Sequence, residues 1–226
     1  MKHIKLGTLS TITFLMMFTL SSTANTRDGF YVGAGIGRSF DQYLLAASNV
    51  ANRYTINADA DDGNTLGNIF IGIGYTTETA FFLGGEVGAN FPSRKVNITG
   101  LPGVSVAYPI INNTLAVQDY VTMDLLPGYA INPTILVYGR AGLAYGELSL
   151  KQPRIGNSFG FNISENKWGG RLGLGANYAL NNNFGIGIDY YYSIYQEMNI
   201  YSPVFNTHFT PKARSNFLGL SVLYTV

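Results

Sequence analysis

The sequence predicts an all-β protein, an eight-stranded antiparallel up-and-down β-barrel that crosses a membrane, with short turns at one end and long loops at the other. Three observations lead to this fold class. Eight segments of the 226-residue chain alternate apolar residues with small or polar ones, which is typical of strands. The links between these segments are alternately short and long. Charged residues make up 12% of the chain and aromatic residues 14%, which is unusual for a surface that faces water.

The eight predicted strands occupy residues 30–40, 68–75, 81–91, 118–129, 135–146, 167–178, 184–195 and 215–226. Each has an apolar face and a second face of small residues with a few large or charged ones. In the first strand, Phe30, Val32 and Ile36 share the apolar face, and Gly33 and Gly35 share the other. The interior of an eight-stranded barrel is just wide enough for side chains, so glycine on an inward face relieves crowding.

The apolar face is predicted to face lipid. A soluble barrel, the main alternative, would bury its apolar face and expose charge, but the second face here is mostly glycine. Near the short links, the apolar face carries an aromatic residue in seven of the eight strands: Phe30, Tyr75, Phe81, Tyr129, Tyr178, Phe184 and Tyr224. A looser set lies near the long links: Phe91, Tyr145, Trp168 and Tyr192. Aromatic girdles of this kind form at membrane interfaces.

The short links are residues 76–80, 130–134 and 179–183, and they contain turn formers such as Asn132-Pro133 and Asn181-Asn182-Asn183. The long links are residues 41–67, 92–117, 147–166 and 196–214, and they are predicted to be loops. Residues 104–108 alternate too, but the run is shorter than the ~9–11 residues of a spanning strand, so a hairpin above the membrane is expected there. An even strand number puts both termini on the short-turn side, predicted to be periplasmic, and the long loops outside.

The first 24 residues are predicted to be a secretory signal peptide, which leaves residues 25–226 as the barrel domain. Lys2 and Lys5 give a basic start, an apolar run follows, and Ser22 and Ala24 fit the small-residue positions before a cleavage site. A single transmembrane anchor is the alternative. The apolar run is shorter than the ~20 residues that a spanning helix needs.

Six charged residues fall on the inward parity of the strands: Glu86, Asp124, Arg140, Lys167, Arg171 and Asp189. Three acids and three bases balance, and charges in a narrow lumen of low dielectric must be paired and hydrogen-bonded. They are predicted to form a structural network that fills the barrel. The alternative is that they line a gate or a narrow pore.

Three stretches carry a family resemblance. They are Leu126-Pro127-Gly128-Tyr129 with Asn132-Pro133, residues 138–146 (YGRAGLAYG), and the closing strand at residues 216–226. With them the chain resembles the small eight-stranded outer-membrane barrels of Gram-negative bacteria, the OmpA-like and opacity-protein-like family.

The resemblance implies location in the bacterial outer membrane and contact with its lipid and lipopolysaccharide. It also implies insertion by the outer-membrane assembly machinery through the C-terminal strand, and a monomer is expected. Two features depart from the family. The chain ends at Val226 rather than at an aromatic residue, and no appended peptidoglycan-binding domain is evident, so no cell-wall tether is expected.

An enzyme is not expected. Beyond the predicted signal peptide His208 is the one histidine, with Ser202 and Glu197 near it in sequence, and a loop does not guarantee the geometry of a Ser–His–acid set. The acidic run 59–64 does not have the spacing of an EF-hand, and a loosely bound Ca²⁺ remains the alternative to a solvated acidic loop. The chain has no cysteine, so thiolate metal sites are excluded, and neither a metal nor a cofactor is predicted. The balance of 14 basic and 13 acidic residues argues against a nucleic-acid partner.

The long links carry apolar and aromatic residues that are candidate contacts for a host or extracellular protein. The candidates are Tyr108, Tyr201, Phe205 and Phe209. Packing of the loops on each other is the alternative. The sequence therefore predicts a non-enzymatic outer-membrane surface protein that contributes to envelope integrity and to loop-mediated surface interaction or adhesion. A narrow porin-like channel for ions or small solutes is the alternative, followed by a barrel lipid hydrolase or acyltransferase.

Overall fold

The computed structural model describes residues 27–49, 55–92, 96–98, 113–152, 161–202 and 207–226. These ranges contain ten strands: β1 (Gly29–Asn49), β2 (Thr55–Thr76), β3 (Phe81–Pro92), β4 (Val96–Ile98), β5 (Asn113–Asn132), β6 (Ile135–Gln152), β7 (Phe161–Ala179), β8 (Phe184–Tyr195), β9 (Ile200–Ser202) and β10 (Thr207–Thr225). The predicted signal peptide, Tyr108, Phe205 and the expected hairpin at residues 104–108 lie outside the described residues. Within those ranges, no helix has the length and apolar character needed to cross a membrane.

Eight of the strands close into an antiparallel barrel. The order around it is β1, β2, β3, β5, β6, β7, β8 and β10, and β10 pairs with β1. The closing ladder is continuous from Tyr31 opposite Thr225 to Asn49 opposite Thr207. The two short strands lie on the rim, where β4 pairs with β5 and β9 pairs with β10. The predicted eight-stranded up-and-down barrel is thereby confirmed.

The short turns are held by side chains at the positions that the sequence singles out. The Oδ1 atom of Asn132 accepts hydrogen bonds from the backbone N–H groups of Thr134 and Ile135, both at 2.8 Å. Asn181 accepts in the same way from Asn183 at 2.9 Å and Phe184 at 2.8 Å. An Asn side chain that bonds backbone two residues ahead mimics a backbone turn, which explains why these links are so tight.

In the part of the chain that the structure describes, segments of each predicted long loop belong to strands. β1 continues to Asn49 and β2 begins at Thr55, although residues 41–67 are predicted as a loop. Four more boundaries also fall inside predicted loops: β5 begins at Asn113, β6 ends at Gln152, β7 begins at Phe161, and β10 begins at Thr207. In these outer parts the outward positions no longer have to be apolar, so the apolar alternation weakens while the backbone ladder continues.

The two faces of the barrel wall follow the predicted parity. The aromatic residues of the short-turn girdle are all exposed on the outer face, between 42% for Tyr224 and 57% for Tyr75. Large apolar residues such as Leu174 and Leu220 are exposed between the girdles. An apolar outer band of this kind matches the hydrocarbon of a bilayer. The inward face holds the buried side chains, and the lumen is therefore the core of the molecule.

Candidate functional site

The inward-pointing charges form one layer across the middle of the lumen. Glu86 on β3 lies directly opposite Asp124 on β5. Two like charges at directly opposite positions destabilise a sheet. Arg140 on β6 relieves this repulsion, since its Nη1 atom donates to Glu86 Oε1 and to Asp124 Oδ2, both at 2.7 Å. Its Nη2 atom donates to Oδ1 of Asp189 on β8 at 3.0 Å. One guanidinium thus ties three carboxylates from three strands together.

Arg171 on β7 forms the outer edge of the layer. Its Nη1 atom lies 3.5 Å from Asp124 Oδ2, and its guanidinium lies 3.9 Å from the centre of the Tyr191 ring. Tyr191 in turn stacks on Phe217 with the ring centres 4.6 Å apart. A cation over an aromatic face in a buried site is a favourable contact, so Arg171 joins the charged layer to an aromatic one.

The structure brings five of the six predicted lumen charges together and leaves one out. Lys167 forms an ion pair of 2.7 Å with Glu165 near the outer end of β7, where both side chains are partly exposed. Its inward parity is as predicted, but its height along the strand places it above the layer. Parity assigns a residue to a face and carries no information about its depth.

Arg27 takes the place that the sequence assigns to Lys167. It precedes β1, and its side chain is fully buried in the lumen. Its Nη1 atom donates to Glu86 Oε2 at 2.7 Å. The buried layer therefore contains three arginines, Arg27, Arg140 and Arg171, and three acids, Glu86, Asp124 and Asp189. The layer therefore balances three arginines against three acids, with Arg27 in place of the predicted Lys167.

The chain enters the lumen through a sharp turn at Gly29, which has a φ of +89° that a residue with a side chain rarely adopts. Just before this turn, Asp28 Oδ1 accepts a hydrogen bond of 2.7 Å from the Thr76 hydroxyl. Burial raises the pKa of the Asp28 carboxyl above its ordinary value, and the bond from Thr76 opposes that shift. The turn at Gly29 and the hydrogen bond between Asp28 and Thr76 hold the chain so that Arg27 points into the lumen.

Inward glycines make room for the large side chains of the lumen. A Cβ atom at Gly72 would collide with the ring of Tyr31, and one at Gly175 would collide with the ring of Tyr138. A cavity of about 10 Å³ remains within the charged layer, lined in part by Asn68, Asn90 and Thr122. Such a volume holds roughly one water molecule. The lumen is therefore packed at this level.

The residues considered for catalysis lie apart from this layer. The His208 ring packs against Tyr201 with the ring centres 4.8 Å apart, and Glu197 forms an ion pair of 3.1 Å with Lys212. Ser202 lies at the end of β9, opposite Thr207. Residues 59–64 belong to β2 and do not form a loop. Among the described residues, no group of three His, Asp or Glu is close enough to hold a metal ion.

The candidate contact residues on the rim are placed as follows. Tyr201 is half exposed on β9. Phe209 occupies a position on β10, opposite Ile200 on one side and Ala47 on the other. The predicted loop contacts that the structure describes therefore belong to strands of the rim.

Comparisons with known proteins agree with this architecture. Residues 10–224 match the family model of the outer membrane protein beta-barrel domain. The outer membrane protease OmpT of Escherichia coli has a similar structure, with a TM-score of 0.50, 11% identity, and coverage of 91% of this chain and 100% of that one. OprG of Pseudomonas aeruginosa also gives a TM-score of 0.50 and 11% identity, covering 90% and 99%. Ail, the attachment invasion locus protein of Yersinia pestis, gives a TM-score of 0.36 and 16% identity, covering 87% and 99%. At these identities the likeness to OmpT and OprG shows the fold alone. No curated protein matches the chain significantly.

Proposed function

The chain belongs to the outer membrane protein β-barrel family, and on that premise we propose that it is a non-enzymatic surface protein of the bacterial outer membrane. Its role would be to support envelope integrity and to make contacts outside the cell through its outer strands and loops. The observation that carries this proposal is the filled lumen. A barrel that conducts solutes needs a continuous water path, and a barrel with a packed lumen serves as a stable support for its rim.

The filling of the lumen extends in layers along the barrel axis. Two apolar clusters pack in the lumen beside the charged layer: Phe82, Leu126, Leu136 and Tyr138 form one, and Tyr31, Phe70 and Leu223 form the other. On the other side of Asp189 and Asp124 along their strands lie the Tyr191–Phe217 stack and the edge-on pair of Tyr120 and Tyr195. This succession favours a closed barrel over the alternative of a narrow channel.

The outer half of the barrel is the part available to partners. Six barrel strands are 18–22 residues long, whereas β3 and β8 have 12 residues each. A tilted strand of ~9–11 residues already crosses the membrane, so the long strands rise well beyond it. Tyr201 and His208 are exposed on this raised part. We assign it to the cell exterior, and the short turns with both termini to the periplasm, because this is the usual arrangement of such barrels.

The enzymatic alternative receives less support. OmpT is a protease, but a likeness at 11% identity concerns the fold alone. Here Glu197 is engaged with Lys212 and His208 packs on Tyr201, and neither arrangement is that of a base held by an acid.

Several further parts of the proposal concern maturation and partners. Residues 1–24 would be removed as a signal peptide, and residues 25–226 would insert as a monomer with the help of the assembly machinery, which would engage β10. The outer aromatic pair of Tyr145 and Trp168, with ring centres 4.8 Å apart, would meet lipid and lipopolysaccharide at the outer interface. The rim would contact a host or extracellular protein outside the cell.

Planar bilayers containing the purified protein test the central point. We expect no steady conductance at neutral pH in molar salt. A reproducible open state of fixed size would contradict the proposal and favour the channel.

Adherence is tested separately with a Tyr201→Ser, His208→Ser variant, for which we expect reduced binding to host matrix with normal folding. The matched control is Tyr75→Ser in the periplasmic girdle, which should leave adherence unchanged. Equal adherence of the wild type, the double variant and the Tyr75→Ser control would count against contact through this part of the rim.

A further inference from the structure

The buried Arg27 side chain has the surroundings of a bound ligand. Its Nη1 atom donates to Glu86 Oε2 at 2.7 Å and to the Tyr31 hydroxyl at 3.2 Å, and its Nη2 atom donates to the Tyr138 hydroxyl at 3.1 Å. The two terminal nitrogens thus meet three oxygens from three strands. A planar guanidinium with a fixed fork of donors satisfies such a set better than a compact ammonium group.

Aromatic rings complete the enclosure. The guanidinium carbon lies 4.7 Å from the centre of the Tyr138 ring, 5.0 Å from that of Tyr31 and 5.7 Å from that of Phe70. All three distances are within the ~6 Å of a cation–π contact. Several aromatic faces together with a carboxylate are the usual means of recognising an organic cation.

The walls of this enclosure and its occupant come from different parts of the chain. Glu86, Tyr31, Tyr138 and Phe70 all belong to barrel strands and are held by their ladders. Arg27 precedes β1, and the chain links it to that strand through Asp28 and the positive-φ turn at Gly29. The side chain also lies between the two apolar clusters, since Tyr138 belongs to one, and Tyr31 and Phe70 belong to the other.

We propose that Glu86, Tyr31, Tyr138 and Phe70 form a guanidinium-binding cage, and that Arg27 is its tethered ligand. The cage faces the short-turn end of the lumen, from which Arg27 and Asp28 lead into β1. A small free guanidinium compound is then the class of ligand that would take the site when the Arg27 side chain leaves it. In this structure, Arg27 of the chain itself fills this cage.

An Arg27→Ala variant with methylguanidinium as the probe tests the cage. The variant empties the site and keeps its walls. Folding in lipid vesicles is followed by urea titration with and without the probe at low millimolar concentration. At a probe concentration ten times its Kd, the equilibrium constant for unfolding of Arg27→Ala should fall about 11-fold, because a ligand that binds the folded state stabilises it by mass action.

Three comparisons make the test specific. The wild-type protein, in which Arg27 fills the cage, should show no such change. Leu174→Arg, which disturbs the lipid face and leaves the cage closed, should be equally unresponsive. Methylammonium at the same concentration should stabilise Arg27→Ala at least threefold less than methylguanidinium. If Arg27→Ala does not fold by itself, the yield of folded protein on refolding with the probe replaces the titration.

The proposal is overturned if methylguanidinium neither stabilises nor helps to refold Arg27→Ala. It is also overturned if Leu174→Arg gains as much as Arg27→Ala, since the effect would then be general. Equal responses to methylguanidinium and methylammonium would overturn the assignment of a guanidinium-specific cage.

Discussion

Removal of the Arg140 side chain is the most informative perturbation of the lumen, because among the described residues it bonds three carboxylates at once. In Arg140→Ala the three acids lose their common partner. Glu86 keeps its 2.7 Å contact with Arg27, and Asp124 keeps Arg171 at 3.5 Å. Asp189 keeps a 2.8 Å hydrogen bond from the Tyr138 hydroxyl, which carries no charge to offset its own. The largest effect should therefore arise at Asp189.

The expected loss follows from these remaining contacts. Hydrogen bonds to charged groups contribute roughly 1.5–3 kcal/mol each, but three bonds from one side chain do not add. Breaking a buried pair so that one charge stays uncompensated costs about 3–5 kcal/mol. Since two of the three acids retain an arginine, we expect a loss of about 3–5 kcal/mol in the free energy of unfolding. This corresponds to an increase of roughly two to four powers of ten in the unfolding equilibrium constant.

Reversible urea unfolding in phospholipid vesicles measures this loss. The chain has one tryptophan, and Trp168 is exposed on the lipid face, so its fluorescence reports insertion directly. Arg171→Ala serves as the matched control, because it removes one ion pair of 3.5 Å and one cation–π contact rather than three carboxylate bonds, and it should lose less than Arg140→Ala. Asp189→Asn added to Arg140→Ala should recover part of the stability by removing the uncompensated charge. An Arg140→Ala midpoint equal to that of the wild type, or a larger loss in Arg171→Ala, would refute the reasoning.

Three further predictions concern other parts of the barrel. Gly72→Ala should destabilise the barrel by about 1–3 kcal/mol through the clash with Tyr31, whereas Gly85→Ala, whose Cβ meets nothing within 4 Å, should stay within about 0.5 kcal/mol of the wild type in the same titration. Leu174→Arg should cost about 2–4 kcal/mol, because its side chain faces the hydrocarbon; an unchanged midpoint would place Leu174 outside the membrane. The raised pKa of Asp28 makes the folded state bind its proton more tightly, so its contribution to stability is full at low pH and is lost as pH rises through that pKa. Asp28→Asn should flatten this part of the pH profile, and an identical slope would argue against the assignment.

Alternation predicted all eight barrel strands and the direction of their side chains because two different environments act on the two faces. Lipid selects Phe30 and Ile36 outward, and the crowded lumen selects Gly33 and Gly35 inward. The alternation of apolar and small residues stops where the strands leave the membrane. Residues 41–48 of β1 pair with β2 although the outward face no longer has to be apolar there. The rim was therefore mistaken for loops.

Strand parity was enough to predict most members of the charged layer, because it decides which residues point into the lumen. Glu86, Asp124, Arg140, Arg171 and Asp189 all lie on inward positions at similar depth, so their meeting follows from the register of neighbouring strands. Depth distinguishes them from Lys167, and depth depends on strand tilt, which the pattern does not encode.

Arg27 was missed for another reason. It stands before the first strand, where no periodicity exists, and only the chain direction after Gly29 brings it inside. A short segment outside the regular pattern can therefore supply a central residue of the core.

The ladder between β1 and β10 determines the order in which this chain can assemble. The pairs β2–β3, β5–β6 and β7–β8 are joined by tight turns and can form early, whereas Tyr31 and Thr225 must meet across nearly the whole described chain. Closure entropy grows with the length of chain enclosed, and pairings so distant in sequence form slowly. Until they form, β1 and β10 are open edges that can pair with other molecules. The slowest step of folding and the greatest risk of aggregation thus reside in the same seam.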